Sequence, residues 1–303
     1  MTTIILHHYP TSPWAEAVRL ALGLKKLEWG SVTAPVVMPK PELAVLTGGY
    51  ARIPVLQSGA DIFCDSAAAM DALETLHPEP SLYPAPLGQG HRLLAAQAGG
   101  ATFFAAVGSA LGNLPIGGNE EFWADREKRF GMKEPAFRAM APHLATQFRA
   151  YLGLLEATLS DGRSFLGGDA AGHGDLANYQ LIWFQDFAGP GSVAAIIQAR
   201  PQLGAWLQRV EALGHGTPRD MRSEEAIAVA RDAEPTVRGI VDPASGFSAG
   251  QQVLVSQEAS KDAPTEGRLA VLTDRRISLL RDHPAVGTVA VHFPRAGQVV
   301  MPA

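Results

Sequence analysis

The stretch "YARIPVLQSGADIFCDS" (residues 50–66) reads as a strand, a tight turn at Ser58-Gly59 and a second strand that runs straight into Cys-Asp-Ser. Pro54 interrupts the first apolar run, between Ile53 and Val55. A proline donates no hydrogen bond to a sheet ladder and is normally confined to edges, strand starts and bulges, so its presence here asks for a reason. Asp65 and Ser66 are residue types that cap helices, and "DSAAAMDALETLH" (65–77) continues as one.

Upstream, "TIILHHY" (3–9) is rich in β-branched and aromatic residues, and "SPWAEAVRLALGL" (12–24) takes helical spacing. Ser12 is a suitable N-cap there and Pro13 suits the first helical position. "LEWGSVTA" (27–34) reads as a second strand, and "PKPELAVLTGG" (39–49) as a short helix ended by glycines. The order over residues 1–78 is β-α-β-α-β-β-α, with the first strands parallel and the last pair antiparallel.

A Pro-rich linker (78–88) leads into a block, 89–234, that reads as all-helical. Segments 91–111, 135–159, 175–188 and 201–214 repeat apolar residues every three or four positions. "NEEFWADREKRFGM" (119–132) is more polar and reads as a surface helix or lid. Over 235–303, short alternating segments such as "GQQVLVSQ" and "GTVAVHF" predict a small barrel-like, SH3-like β domain.

Composition narrows the function classes. Hydrophobic residues at 47% and charged residues at 18% suit a soluble globular chain, and 303 residues suffice for two or three cores. A net charge of -5 argues against non-specific binding to nucleic acid or an anionic membrane, which needs basic surface. Cys64 is the sole cysteine, which excludes an internal disulfide and a redox dithiol. "MTTIILHHYP" has no basic leader and no apolar run spans a membrane, so a cytoplasmic protein is expected. The nine histidines lack metal-ligand spacing, so no metal is expected, and no Gly-x-Ser-x-Gly elbow occurs.

The βαβαββα order with a proline opening its third strand, followed by a helical block, resembles the glutathione transferase superfamily over residues 1–234. That resemblance implies a thioredoxin-like domain, an all-α domain and a cis bond before Pro54. The backbone of Ile53 would then grip the cysteinyl unit of glutathione as an added strand does. Asp65-Ser66 match the superfamily's acidic-serine pair, which implies a helix N-terminus for the γ-glutamyl carboxylate and the Asp65 carboxylate for its ammonium. The turn "YPTSPWAEAVR" (9–19) resembles that of serine-type, tau-like members, which implies a catalytic Ser12 hydroxyl aimed at the glutathione sulfur. Counting back from Arg19 sets His8 where tyrosine-type members carry their tyrosine. Tyr9 is left to line a hydrophobic pocket with Phe103, Phe104, Phe122 and Trp123.

Lys40 lies where some serine-type members place a lysine, which implies a partner for the glycyl carboxylate of glutathione, and Arg52, next to Ile53, competes for that role. Glutathione is thus the implied co-substrate, a small hydrophobic electrophile its partner, detoxifying conjugation the reaction and a homodimer the assembly. A non-enzymatic scaffold acting through the helical or β domain is the alternative. One departure stands out: the superfamily's Ser/Thr-x-x-Asp capping box becomes "GHGDLANY", with Asp175 retained and Gly172 at the capping position.

Overall fold

The computed structural model describes residues 3–114, 117–258 and 260–303. Its first domain runs β1 (Ile4–His8), α1 (Pro13–Leu24), β2 (Glu28–Thr33), α2 (Pro41–Thr47), β3 (Val55–Ser58), β4 (Asp61–Cys64) and α3 (Ser66–Leu76). β1 pairs parallel with β2 and antiparallel with β3, which pairs antiparallel with β4. The hairpin turns on Gly59-Ala60, one residue later than the sequence suggested. Side chains alternate across a strand, so one sheet feeds two cores. Ile4, Leu6 and Leu56 join α1, α3 and the helical domain, whereas Val55, Ile62 and Cys64 face the opposite layer.

The helical domain comprises α4 (Gly90–Gly99), α5 (Ala101–Leu111), α6 (Glu120–Phe130), α7 (Glu134–Leu159), α8 (His173–Trp183), α9 (Gln185–Ala188), α10 (Ser192–Ala199) and α11 (Pro201–Glu211). The run 91–111 is two helices meeting at 42°, because Gly99-Gly100 interrupts it. No single described helix is long and apolar enough to cross a membrane. α8 is the buried centre of the bundle. Its Asp175 carboxylate accepts from Gly172 N–H (3.0 Å), Leu166 N–H (2.7 Å) and Trp206 Nε1–H (2.8 Å). Glycine at 172 has a steric cause, since a Cβ there would stand 2.5 Å from the buried His91 ring. The imidazole occupies the space a serine or threonine cap would need.

Where the sequence suggested continued helix, β5 (Thr217–Asp220) returns to the first domain and pairs parallel with β2. α12 (Ser223–Arg231) then packs Ala226 and Val229 against Ile5 and Val32. The small β domain follows as β6 (Gln252–Gln257), β7 (Thr265–Leu272), β8 (Arg276–His283), β9 (Gly287–Pro294) and β10 (Gln298–Pro302).

This domain does not close on itself. The free edge of β9 pairs parallel with β4, which makes one ten-stranded sheet in the order β10-β6-β7-β8-β9-β4-β3-β1-β2-β5. Val289, Val291 and Phe293 share a single core with Leu43, Leu46, Val55 and Ile62. The domain also grips the end of α2, where Thr265 donates to Thr47 O (3.0 Å) and Arg281 donates to Leu46 O (3.3 Å). Gly48, in the left-handed conformation at φ +76, ends that helix, and the Arg281 side chain lies where a Cβ would stand.

Candidate active site

One arginine holds the turn between β1 and α1. Arg19 donates to Glu16 Oε2 from Nε (2.9 Å) and Nη2 (2.6 Å), to Pro10 O (3.0 Å) and to His8 Nδ1 (3.0 Å). The turn so fixed sets Ser12 as the N-cap of α1, its Oγ accepting from Ala15 N–H (3.3 Å). Ser12 is buried, yet it lines the large cleft between the first and helical domains. Among the described residues its hydroxyl meets no acceptor for its own proton.

His8 plays a different part. Because Arg19 donates to Nδ1, the ring proton sits on Nε2 and is donated to Ser31 Oγ (3.0 Å). Burial, aided by the Arg19 charge, lowers its pKa to about 4 and keeps it neutral. His8 does not line the cleft, whereas Tyr9 does.

The cleft encloses about 890 Å³, near the top of the usual range of roughly 300–1,000 Å³ for ligand sites. One side is aromatic. Trp14 stacks on Phe103 at 5.2 Å, and Phe184 stacks on Phe187 at 5.3 Å. Phe104 and Phe187 are left 56% and 46% exposed, an uncovered apolar surface.

The other side is cationic, built from Lys40, Arg52, Arg126 and Arg129 around the Phe130 ring. Asp125 pairs with Arg126 and accepts from Met38 N–H (2.9 Å), and Asp262 accepts from Arg129 at 2.6 and 2.7 Å. Lys40 is 3% exposed and its ammonium has no acceptor among the described residues. Burial, then the Arg129 charge, lowers its pKa to about 8. The exposed Glu120, Glu121 and Glu258 also border the cleft. No three His, Cys, Asp or Glu side chains among the described residues are placed to hold a metal ion.

The cleft therefore collects Ser12, Tyr9, Lys40, Arg52, Ile53, Phe103, Phe104 and Phe122 from the residues singled out by sequence. The Ile53–Pro54 bond is cis, and Pro54 is buried behind Ile53. Asp65 and Ser66 lie off the lining, at the start of α3. There Asp65 accepts from Ala67 N–H (2.9 Å) with its backbone at φ +86, a conformation that non-glycine residues rarely hold. Burial raises the Asp65 carboxyl, against the opposing pull of the Ala67 N–H and the Arg52 charge.

Trp123 is corrected from pocket wall to core. It is buried behind Phe122 and packs on Val107 and Leu111. Sequence reading missed Trp14, Phe184, Phe187, Arg126 and Arg129 as cleft residues. The segment that carries the arginines reads in sequence as a surface helix or lid, and their three-residue spacing sets both on one helix face.

Residues 6–81 match the family described as "Glutathione S-transferase, N-terminal domain", and residues 121–209 match "Glutathione S-transferase, C-terminal domain". A crystal structure of a GST-like protein from Pseudomonas syringae is 34% identical, covers 100% of both chains and superposes with a TM-score of 0.81. The chain belongs to the glutathione transferase superfamily. Other glutathione transferase structures share the fold over a smaller part of it. One from Rhodospirillum rubrum is 22% identical over 69% of this chain and 88% of its own, with a TM-score of 0.54. One from Methylobacterium radiotolerans, in complex with glutathione sulfonate, is 20% identical over 73% of this chain and 98% of its own, with a TM-score of 0.51. No curated protein matches the chain. The extra β domain is thus shared with the Pseudomonas transferase-like protein, which matches end to end.

Proposed function

We propose that this transferase-family chain binds glutathione in the cleft and conjugates its thiolate to hydrophobic electrophiles. The observation that carries the reading is the Ser12 hydroxyl, held on the cleft wall with its proton undonated. The cationic side suits the carboxylates of the tripeptide, with Lys40 and Arg52 beside Ile53, and the aromatic side suits an apolar second substrate.

A glutathione thiol resembles free cysteine, with a pKa of about 8.5, so little is thiolate at neutral pH. Lowering it by about two units takes roughly 2.7 kcal/mol of stabilisation for the anion. A hydrogen bond to a charged acceptor supplies about 1.5–3 kcal/mol, and the N-terminal dipole of α1 adds to it. Ser12 donates and keeps its own proton. His8 is a poor substitute, since both its ring nitrogens are engaged.

Ser12→Ala is therefore expected to raise the bound thiol's pKa and cut conjugation about ten- to a hundredfold, with glutathione affinity little changed. Ultraviolet titration of the thiolate in the complex measures the first effect directly. A mutant curve that overlays the wild type reduces Ser12 to a cap and turns attention to Tyr9. Glutathione binding by the wild type with no conjugation would favour the non-enzymatic alternative.

A further inference from the structure

The polar side of the cleft is not built by the two transferase domains alone. The β6–β7 connection of the extra domain reaches α6, where Lys261 N–H donates to Arg129 O (3.0 Å) and Asp262 takes the Arg129 guanidinium side-on through Nε and Nη2. The same carboxylate lies 4.0 Å from Arg52 Nε. Both arginines stack on Phe130, with the guanidinium carbons 4.8 and 4.9 Å from the ring centre.

We propose that Asp262 is a positioning residue of the glutathione site, fixing Arg129 over Phe130 through a bidentate fork and balancing the charge of Arg52 beside it, so that the arginines and Lys40 present one fixed anion-binding surface. This rests on the glutathione reading above. The geometry explains why a carboxylate belongs there. Four cations crowd this wall, and Asp125 is already engaged by Arg126 and by Met38 N–H. Without Asp262, Arg129 would face Arg52 and Lys40 with Asp125 alone, at 3.7 Å, to balance it. Burial alone would raise the Asp262 carboxyl; the bonds from Arg129 outweigh it and hold the group below the usual range. A bidentate fork also fixes orientation, which a point charge does not.

Asp262→Asn in the full-length protein gives the test, because charge counting and positioning predict opposite signs. Removing an acid should tighten binding of an anionic peptide if only net charge matters. If orientation matters, the dissociation constant for glutathione, measured by titration calorimetry, should rise about five- to twentyfold. Asp262→Glu should recover part of the loss, and turnover of chlorodinitrobenzene at saturating glutathione should stay within about twofold. Arg129→Lys keeps the charge, loses the fork and should weaken binding in the same direction, which leaves a second route should Asp262→Asn fail to fold. Unchanged or tighter glutathione binding in these variants, with or without a lower melting temperature, overturns the proposal and makes Asp262 a latch on α6. Absence of glutathione binding by the wild type overturns the parent reading instead.

Discussion

At one edge of the first domain's sheet, β4 receives β9; at the other, β2 receives β5. β9 is buried from Val289 to Phe293, whereas β5 is exposed at every position. β9 brings a core with it, and its His292 stacks on Phe63 at 4.6 Å. The same imidazole links Asp61 Oδ1 (3.0 Å) on β4 to Ser278 Oγ (2.8 Å) on β8. That Ser-His-Asp row is buried at Ser278 and His292, and it ties three neighbouring strands together. β5 offers little besides backbone bonds, such as Thr217 N–H to Leu27 O (2.9 Å), and leaves apolar packing to α12. A strand that carries its own core merges two domains into one. A strand that carries only its backbone finishes an edge.

The largest expected effect breaks the first of these. A chain ending at Glu234 would leave the edge of β4 unpaired and expose Leu43, Leu46 and Ile62 to water. It should aggregate, or lose its cooperative melt and its glutathione site. A soluble, cooperatively melting monomer that binds glutathione would show that β9 only decorates the first domain.

A smaller effect sharpens the comparison, because each addition is tied by a neutral buried histidine. On the α12 side, His7 Nε2 bonds Gln57 Oε1 (2.9 Å), and Gln57 Nε2 donates to Ala226 O (2.8 Å). Burial lowers His7 to about 4 and lowers His292 despite its Asp61 partner. The unfolded chain takes up these protons near pH 6.5, before the folded one does. The stability each gives is therefore full above about 6.5 and is lost as pH falls from there towards the folded value. For His7 the loss is about 2 kcal/mol near pH 5. Urea unfolding at pH 5 and 7.5 should show this acid weakening. His292→Ala should in addition cost about 2–4 kcal/mol at neutral pH, since it opens a cavity and strips Asp61 and Ser278 of a partner. A cost below about 1 kcal/mol would mean that backbone pairing alone carries the seam.

The same contrast explains what was legible in the sequence. β9 announced itself as "GTVAVHF", because Val289, Val291 and Phe293 alternate with the smaller or polar Ala290 and His292, although the structure buries both faces. β5, "TPRD", carries no such pattern, since nothing covers it, and it passed for helix. Local chemistry makes Ser12 legible as a cap and Pro54 as a break in a strand, but only the resemblance to transferases assigns them, with Ile53 and Lys40, to a site. The partnership of Arg129 with Asp262 lies 133 residues apart in sequence, and the docking of the β domain, through β9 on β4 and Thr265 on α2, brings it about. Side-chain spacing within an element is written locally; the partner of a free edge is not.

The smallest expected effect on stability concerns the edge that β5 finishes. Thr217 and Met221 turn their N–H groups towards β2, so the alternation of a parallel strand turns position 218 outward. The residue there is Pro218, which has no N–H to offer a passing strand. At the opposite limit of the sheet, β10 ends on Pro302. Proline on an outer strand is a recognised defence against edge-to-edge association. Pro218→Val should leave unfolding free energy within about 0.5 kcal/mol, because no inward bond is lost and the site is exposed. It should nevertheless restore an outward donor on an apolar, β-favouring residue. Concentration-dependent association by sedimentation velocity into species larger than the wild type forms over the same range is the expected outcome. Identical sedimentation of the two proteins would mean that β5 is too short to recruit another strand, and that its proline is there for the turn into α12 alone.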